Sequence, residues 1–197
     1  MADWTPAGLR ALVLENDVAR LRRLTIDDKP DLERLVYDPE IWEYFVARIT
    51  DEASLNAFIE QAIHDSLAGT RMVFAIVDKA SGRVAGSTAF GNIAPADRRL
   101  EIGWSWLGRD FRGTGVNKAA KFLLLEHCFT AMEAERVEFK TDILNERAKR
   151  GLESIGAKQD GVMRSFNVMP GGRRRDAVFY SILKHEWPEV RAERFGA

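Results

Sequence analysis

With 197 residues and 46% hydrophobic content, the chain suits one domain with a full core rather than two. Its 29 basic and 30 acidic residues leave a formal charge of −1, which gives no case for nucleic acid or a membrane surface as partner. The single cysteine, Cys128, excludes an internal disulfide and fits a reducing cytoplasm, and the scattered histidines show no metal-binding spacing.

The elements follow in chain order. Residues 1–17 read as a lead-in with a short strand over Leu12 to Glu15, and the N-terminus lacks the basic-then-apolar pattern of a signal peptide. No apolar run approaches the roughly 18–20 residues of a membrane span. Ala19 to Leu24 alternates as a first strand. Thr25 to Asp28 offers helix caps, and Leu32, Leu35 and Val36 form a stripe that ends near Asp38-Pro39. A second helix starts after Thr50-Asp51-Glu52, with Leu55, Phe58, Ile59, Ala62, Ile63 and Leu67 as its stripe and Gly69 as its stop. Met72 to Val77 and Arg83 to Phe90 form a hairpin about Asp78 to Gly82. A loop over Asn92 to Arg98 leads to a strand over Leu100 to Leu107. A helix through Val116, Ala120, Leu124 and Met132 follows, with His127 and Cys128 as core positions. Arg136 to Thr141 is a strand and Glu146 to Ile155 a helix. Lys158 to Val168 and Asp176 to Leu183 make a last hairpin around Met169 to Gly172, whose Arg173-Arg174-Arg175 reads as a solvated tip or as a cationic patch for an acidic substrate or partner. No repeat or low-complexity linker interrupts the order, so residues 1–197 form one domain. The fold class is α/β: a twisted, mixed, mostly antiparallel sheet with helices on both faces.

The densest signal lies between Glu101 and Met132. There an apolar strand runs into Gly108-Arg109-Asp110-Phe111-Arg112-Gly113-Thr114-Gly115-Val116-Asn117, and this glycine turn opens a helix. A helix N-terminus carries unpaired N–H groups and about half a positive charge, and glycines let backbone wrap a diphosphate. Two common phosphate motifs are absent. Thr114-Gly115 follow Gly113 where a P-loop needs Lys and Ser or Thr, and Lys118 stands where a dinucleotide fingerprint needs its third glycine.

The remaining Arg112-x-x-Gly115-x-Asn117 turn resembles that of the GNAT acyl-CoA N-acetyltransferases, and within them the branch acting on ribosomal-protein N-termini. The likeness extends over nearly the whole chain. Leu21 to Leu24 with Asp27-Asp28, Val84-Ala85-Gly86, Glu101 to Trp104, Asn145 to Ala148, Glu153 to Ala157 and Arg175 to Leu183 resemble successive family segments. Asn117 departs from the family's usual Gly or Ala.

The resemblance implies acetyl-CoA as co-substrate, no metal, and direct acetyl transfer to a primary amine on a protein N-terminus or a small molecule. Homodimers occur in the family. It places the diphosphate on the backbone of Arg112, Gly113, Thr114, Gly115, Val116 and Asn117. The pantetheine arm lies along the strand through Trp106 and Leu107 and near Asn145, and Arg150 stands within reach of the adenosine 3′-phosphate. Asn145 also reads as a helix N-cap. Glu101 is the candidate general base, set against a plain charge pair with Arg98 or Arg99. The family's general-acid positions hold Ala148 and Leu152, so the thiolate leaves here without the usual donor. Trp42, Tyr44 and Phe45, with Glu40 and Glu43, are candidates for an acceptor wall that suits a cationic amine, or for plain helix packing. Two further readings stand beside transfer to a protein N-terminus: acetylation of small-molecule or antibiotic amines, and a catalytically weak acyl-CoA-binding protein, the latter prompted by Ala148 and Leu152.

Overall fold

A computed structural model describes residues 4–197, so the first three residues of the expected lead-in lie outside the described part. Eight strands form one sheet in the order β1-β2-β3-β4-β5-β6-β8-β7. They are β1 (Val13–Glu15), β2 (Ala19–Arg23), β3 (Met72–Asp78), β4 (Val84–Ala94), β5 (Arg99–Leu107), β6 (Arg136–Asp142), β7 (Lys158–Val168) and β8 (Arg174–Leu183). Among the described residues only β5 and β6 pair in parallel; every other neighbouring pair is antiparallel. The central strand β4 is buried continuously from Val84 to Gly91, as expected of a strand covered on both faces.

The helices are α1 (Pro6–Ala11), α2 (Lys29–Glu33), α3 (Pro39–Trp42), α4 (Glu52–Ala68), α5 (Val116–Glu126), α6 (Glu146–Ser154) and α7 (Trp187–Val190). Ser105 and Trp106 are adjacent on β5 and so point to opposite faces. Ser105 meets Lys121 of α5, whereas Trp106 packs against Trp42 of α3 and Phe58 of α4. Helices α3 and α4 therefore cover one face and α5 the other, as the sequence led us to expect. The C-terminal segment closes over α5 through Phe122, Trp187 and Phe195.

Boundaries differ from the sequence reading where local chemistry is weak. The single helix expected after Thr25 is a 3-10 turn at Ile26–Asp28 followed by the short α2, with α3 beyond it. Proline opens α1, α3 and α7, three short helices with too few residues for a periodic stripe. The α5 stripe continues past Glu126 as a wider π turn over His127–Ala131, and Cys128 is fully buried there. The expected 92–98 loop begins later, because β4 continues to Ala94 before a 3-10 turn at Pro95–Asp97. Asp51 caps α4, which starts at Glu52, one residue earlier than expected, and Gly69 ends it at φ +74°, as read from the sequence.

Candidate active site

β5 and β6 run together for three residue pairs only, Arg99 with Arg136, Leu100 with Val137 and Glu101 with Glu138. Beyond Glu101 they part. The cause lies on the other edge of β5. Ser87 pairs with Trp106 and Ala89 with Gly103, so two steps on β4 face three on β5. The extra residue is a bulge, and Trp104 sits in it at φ +51°, an unusual conformation for so bulky a side chain. A side chain at Gly91 would collide with the Trp104 ring, so glycine is what lets that ring lie flat here. The bend carries β5 away from β6 and opens a cleft of about 760 Å³.

The cleft reaches the start of α5. Gly115 caps this helix at φ +91° and no side chain bonds to the cap. Gly113 has φ +77°, and a methyl group at Gly113 or Gly115 would meet nothing within 4 Å. The first turn of α5 is thus left uncovered, with backbone N–H groups of the kind that suit an anion. Trp106, Leu107, Arg112, Gly113, Asn117 and Asn145 line the cleft, and Asn117 is exposed there. Thr114, Gly115 and Val116 form the adjoining turn. Thr114 donates its hydroxyl to the Phe111 carbonyl at 2.9 Å, and Val116 is packed in the core. Arg112 braces the turn: its guanidinium meets Glu40 at 3.1 Å, Asp38 at 3.5 Å and the Leu107 carbonyl at 3.3 Å. Arg150 lies on an exposed part of α6 outside the cleft. Asn145 caps α6 by accepting the Ala148 N–H at 3.0 Å while still lining the cleft, so the two sequence readings of it are compatible.

Glu101 stands where the strands part and is 4% exposed. Its Oε2 accepts from Asn92 Nδ2 at 2.6 Å and from Lys140 Nζ at 3.3 Å. The alternative pairing with Arg98 or Arg99 does not occur. Arg98 pairs with Glu133 and Glu135, and Arg99 with Asp97 and Glu138. Phe166 and Phe179 both lie against the Lys140 ammonium.

Lys121 escaped the sequence reading. It lies one helical turn beyond Asn117, lines the cleft, and is 6% exposed. Its Nζ donates to Ser105 Oγ at 2.7 Å, and Ser105 shares a 2.7 Å hydrogen bond with Thr88. Burial pulls its pKa down to about 7, with the Glu101 charge working against that shift. The available signal was a lysine on the buried stripe of α5, beside Ala120 and Leu124. Ala148 and Leu152 also line the cleft, so both family acid positions are apolar here.

Of the residues expected to wall the acceptor, Tyr44 and Phe45 line the cleft with Ile41 and Val46. Trp42 does not. It is 4% exposed, donates Nε1 to the Val36 carbonyl at 2.6 Å, and packs on Phe45 and Trp106 as a core residue. The expected carboxylates are absent too, because Glu40 pairs with Arg109 and Arg112 and Glu43 is exposed outside the cleft. The supposed arginine tip is divided. Arg173 pairs with the fully buried Asp142, Arg174 bonds Ser165, and Arg175 is buried against the cleft.

Residues 19–158 match the family model described as an acetyltransferase (GNAT) domain. The chain is 29% identical over 168 residues to an uncharacterized N-acetyltransferase, p20, of Bacillus licheniformis, covering 85% of this chain and 93% of that one. It is 32% identical over 106 residues to a Bacillus subtilis protein provisionally named a ribosomal N-acetyltransferase, covering 54% and 57% of the two chains. A crystal structure of a provisionally named acetyltransferase from T. thermophilus superposes with a TM-score of 0.85 at 36% identity, over 93% of this chain and 95% of that one. The parted strands and the glycine-capped helix thus sit in a chain that belongs to the GNAT acetyltransferase family.

Proposed function

We propose that the protein moves an acetyl group from acetyl-CoA to a primary amine, on a peptide N-terminus or a small molecule, by direct attack in the cleft. One observation carries this reading: β5 leaves β6 just past Glu101, and the gap runs to the open start of α5. The unpaired edge of Ile102 to Leu107 offers backbone donors and acceptors to a pantetheine arm, much as a sheet edge accepts an added strand. The α5 N-terminus suits the diphosphate.

Glu101, held by Asn92 and Lys140, takes the proton the amine must lose, directly or through water. The amine nitrogen bonds the acetyl carbon as the carbon–sulfur bond breaks. Lys121 passes its Nζ proton to the leaving sulfur, replacing the acid missing at Ala148 and Leu152. A lysine with its pKa near 7 is a competent donor to a thiolate whose thiol has a pKa of about 8.5.

Titration calorimetry with acetyl-CoA tests the reading, with dephospho-CoA as comparison. Micromolar binding is expected, and no binding at millimolar ligand overturns it. The second reading, acyl-CoA binding without turnover, is favoured by the apolar Ala148 and Leu152. It predicts binding with no thiol release on any amine.

A further inference from the structure

Arg175 is 7% exposed, and its Nε has no hydrogen-bond partner. Of the other cations on this side of the cleft, Arg147 is exposed to solvent and two are paired. Lys140 pairs with Glu101, and Arg173 with Asp142, whose other oxygen accepts the Leu144 N–H. No acid among the described residues forms an ion pair with Arg175. A buried guanidinium without a partner is costly, so its usual complement is an anion. Its direction is set by the sheet. Asn167 pairs with Arg175 across β7 and β8, so the two share a face, and strand alternation puts Phe179, which meets Lys140, on that face as well. Asn167 carries a second orphan there, a buried Oδ1 that accepts nothing. Both residues line the cleft with Tyr44 and Glu101. Burial lowers the Arg175 pKa, with Asp142 and Glu101 only partly opposing it, as fits a cation short of negative charge.

We infer that the acceptor amine carries an anionic group, a carboxylate or a phosphate, which Arg175 binds as a two-pronged donor while the amino end lies toward Glu101. This rests on the acetyl-transfer reading for the amino end, whereas the anion site stands on Arg175 alone. It also replaces the cationic-amine pocket expected from Glu40 and Glu43.

The test uses the full chain and its Arg175→Met variant. Glycine, β-alanine and γ-aminobutyrate are compared with their carboxamides, and phosphoethanolamine with ethanolamine, by thiol release from acetyl-CoA. At least one anionic member should exceed its neutral counterpart by about tenfold or more in kcat/KM, and the pair that does so identifies carboxylate or phosphate. Arg175→Met should cut that preference to about threefold or less, with acetyl-CoA affinity unchanged. Equal rates on charged and neutral partners, or a preference kept in Arg175→Met, overturn the inference. A thermal-shift series with the N-acetylated products and their carboxamides reads the anion site without turnover. Stabilisation of wild type but not of Arg175→Met by the anionic compounds supports the site even if acetyl-CoA fails to bind, and no stabilisation by any of them counts against it. If Arg175→Met fails to fold, Arg175→Lys serves in its place. It keeps the charge without the planar fork and should lose most of the preference; a preference kept there overturns the inference.

Discussion

The two ends of the cleft are built in opposite ways. The α5 end comes from one continuous stretch: β5, the glycine turn and the first helical turn, within Gly103 to Asn117. The opposite end, where we propose the acceptor lies, gathers Tyr44 from the segment after α3, Glu101 from β5, Lys140 from β6, Asn167 from β7 and Arg175 from β8. The first uses backbone N–H groups and the absence of side chains. The second uses charged side chains whose roles depend on which neighbours reach them. A backbone site therefore fails when bulk is added, while a side-chain site fails when one partner is removed.

The largest effect should come from adding bulk. Gly115→Trp forces a side chain into a positive-φ position at the open helix start, and acetyl-CoA affinity should fall by about 100-fold or more in calorimetry while circular dichroism stays native. Retained affinity would remove the diphosphate from this turn. Trp42→Ala sharpens the assignment of Trp42 to the core: chemical denaturation should show a loss of about 3–5 kcal/mol. If stability holds and KM for the acceptor rises, Trp42 belongs to the pocket after all.

Glu101→Gln should lower kcat by roughly 10²-fold at neutral pH in a steady-state thiol-release assay. An unchanged kcat in the variant would leave Glu101 as a positioning partner of Lys140. The smallest effect is expected at Lys121. Because its proton leaves near pH 7, kcat should decline above that pH as the donor is lost. Lys121→Met should reduce kcat about tenfold below pH 7 and remove the decline.

Lys121 also has a stability signature whose sign follows from linkage. Its pKa in the folded protein lies below the unfolded value of 10.5, so between about 7 and 10.5 the unfolded chain binds more protons. The contribution of Lys121 to stability therefore rises with pH across that window. Below pH 7 the buried charge is fully penalised, so Lys121→Met should melt above wild type there, and its advantage should shrink toward pH 10. A difference that does not change with pH would mean that Lys121 is not desolvated.

Most of the fold was readable in the sequence because its signals are local. The Asp51 cap and Gly69 stop bound α4, alternation marks the strands, and the glycine turn locates α5. The short proline-initiated helices were not readable, since four to six residues carry no periodicity. The bulge at Trp104 was also invisible, because it depends on how β5 registers against β4.

The site divides along the same line. Sequence alone determined the family likeness, the strand-turn-helix with its glycine-rich turn, and Glu101 as a carboxylate near the start of β5. Each of these depends on neighbours within a few residues. Only the tertiary structure decided that Trp42 is core, that Arg112 is held by Asp38 and Glu40, and that Lys121 faces Ser105. Only it separated Arg173, Arg174 and Arg175, one run of like charge in the sequence, into an ion pair, a loop brace and a buried unpartnered cation. A charged side chain acquires its role from its dielectric surroundings and its counter-charge. Those are supplied by residues far away in the chain, which the sheet alone brings together.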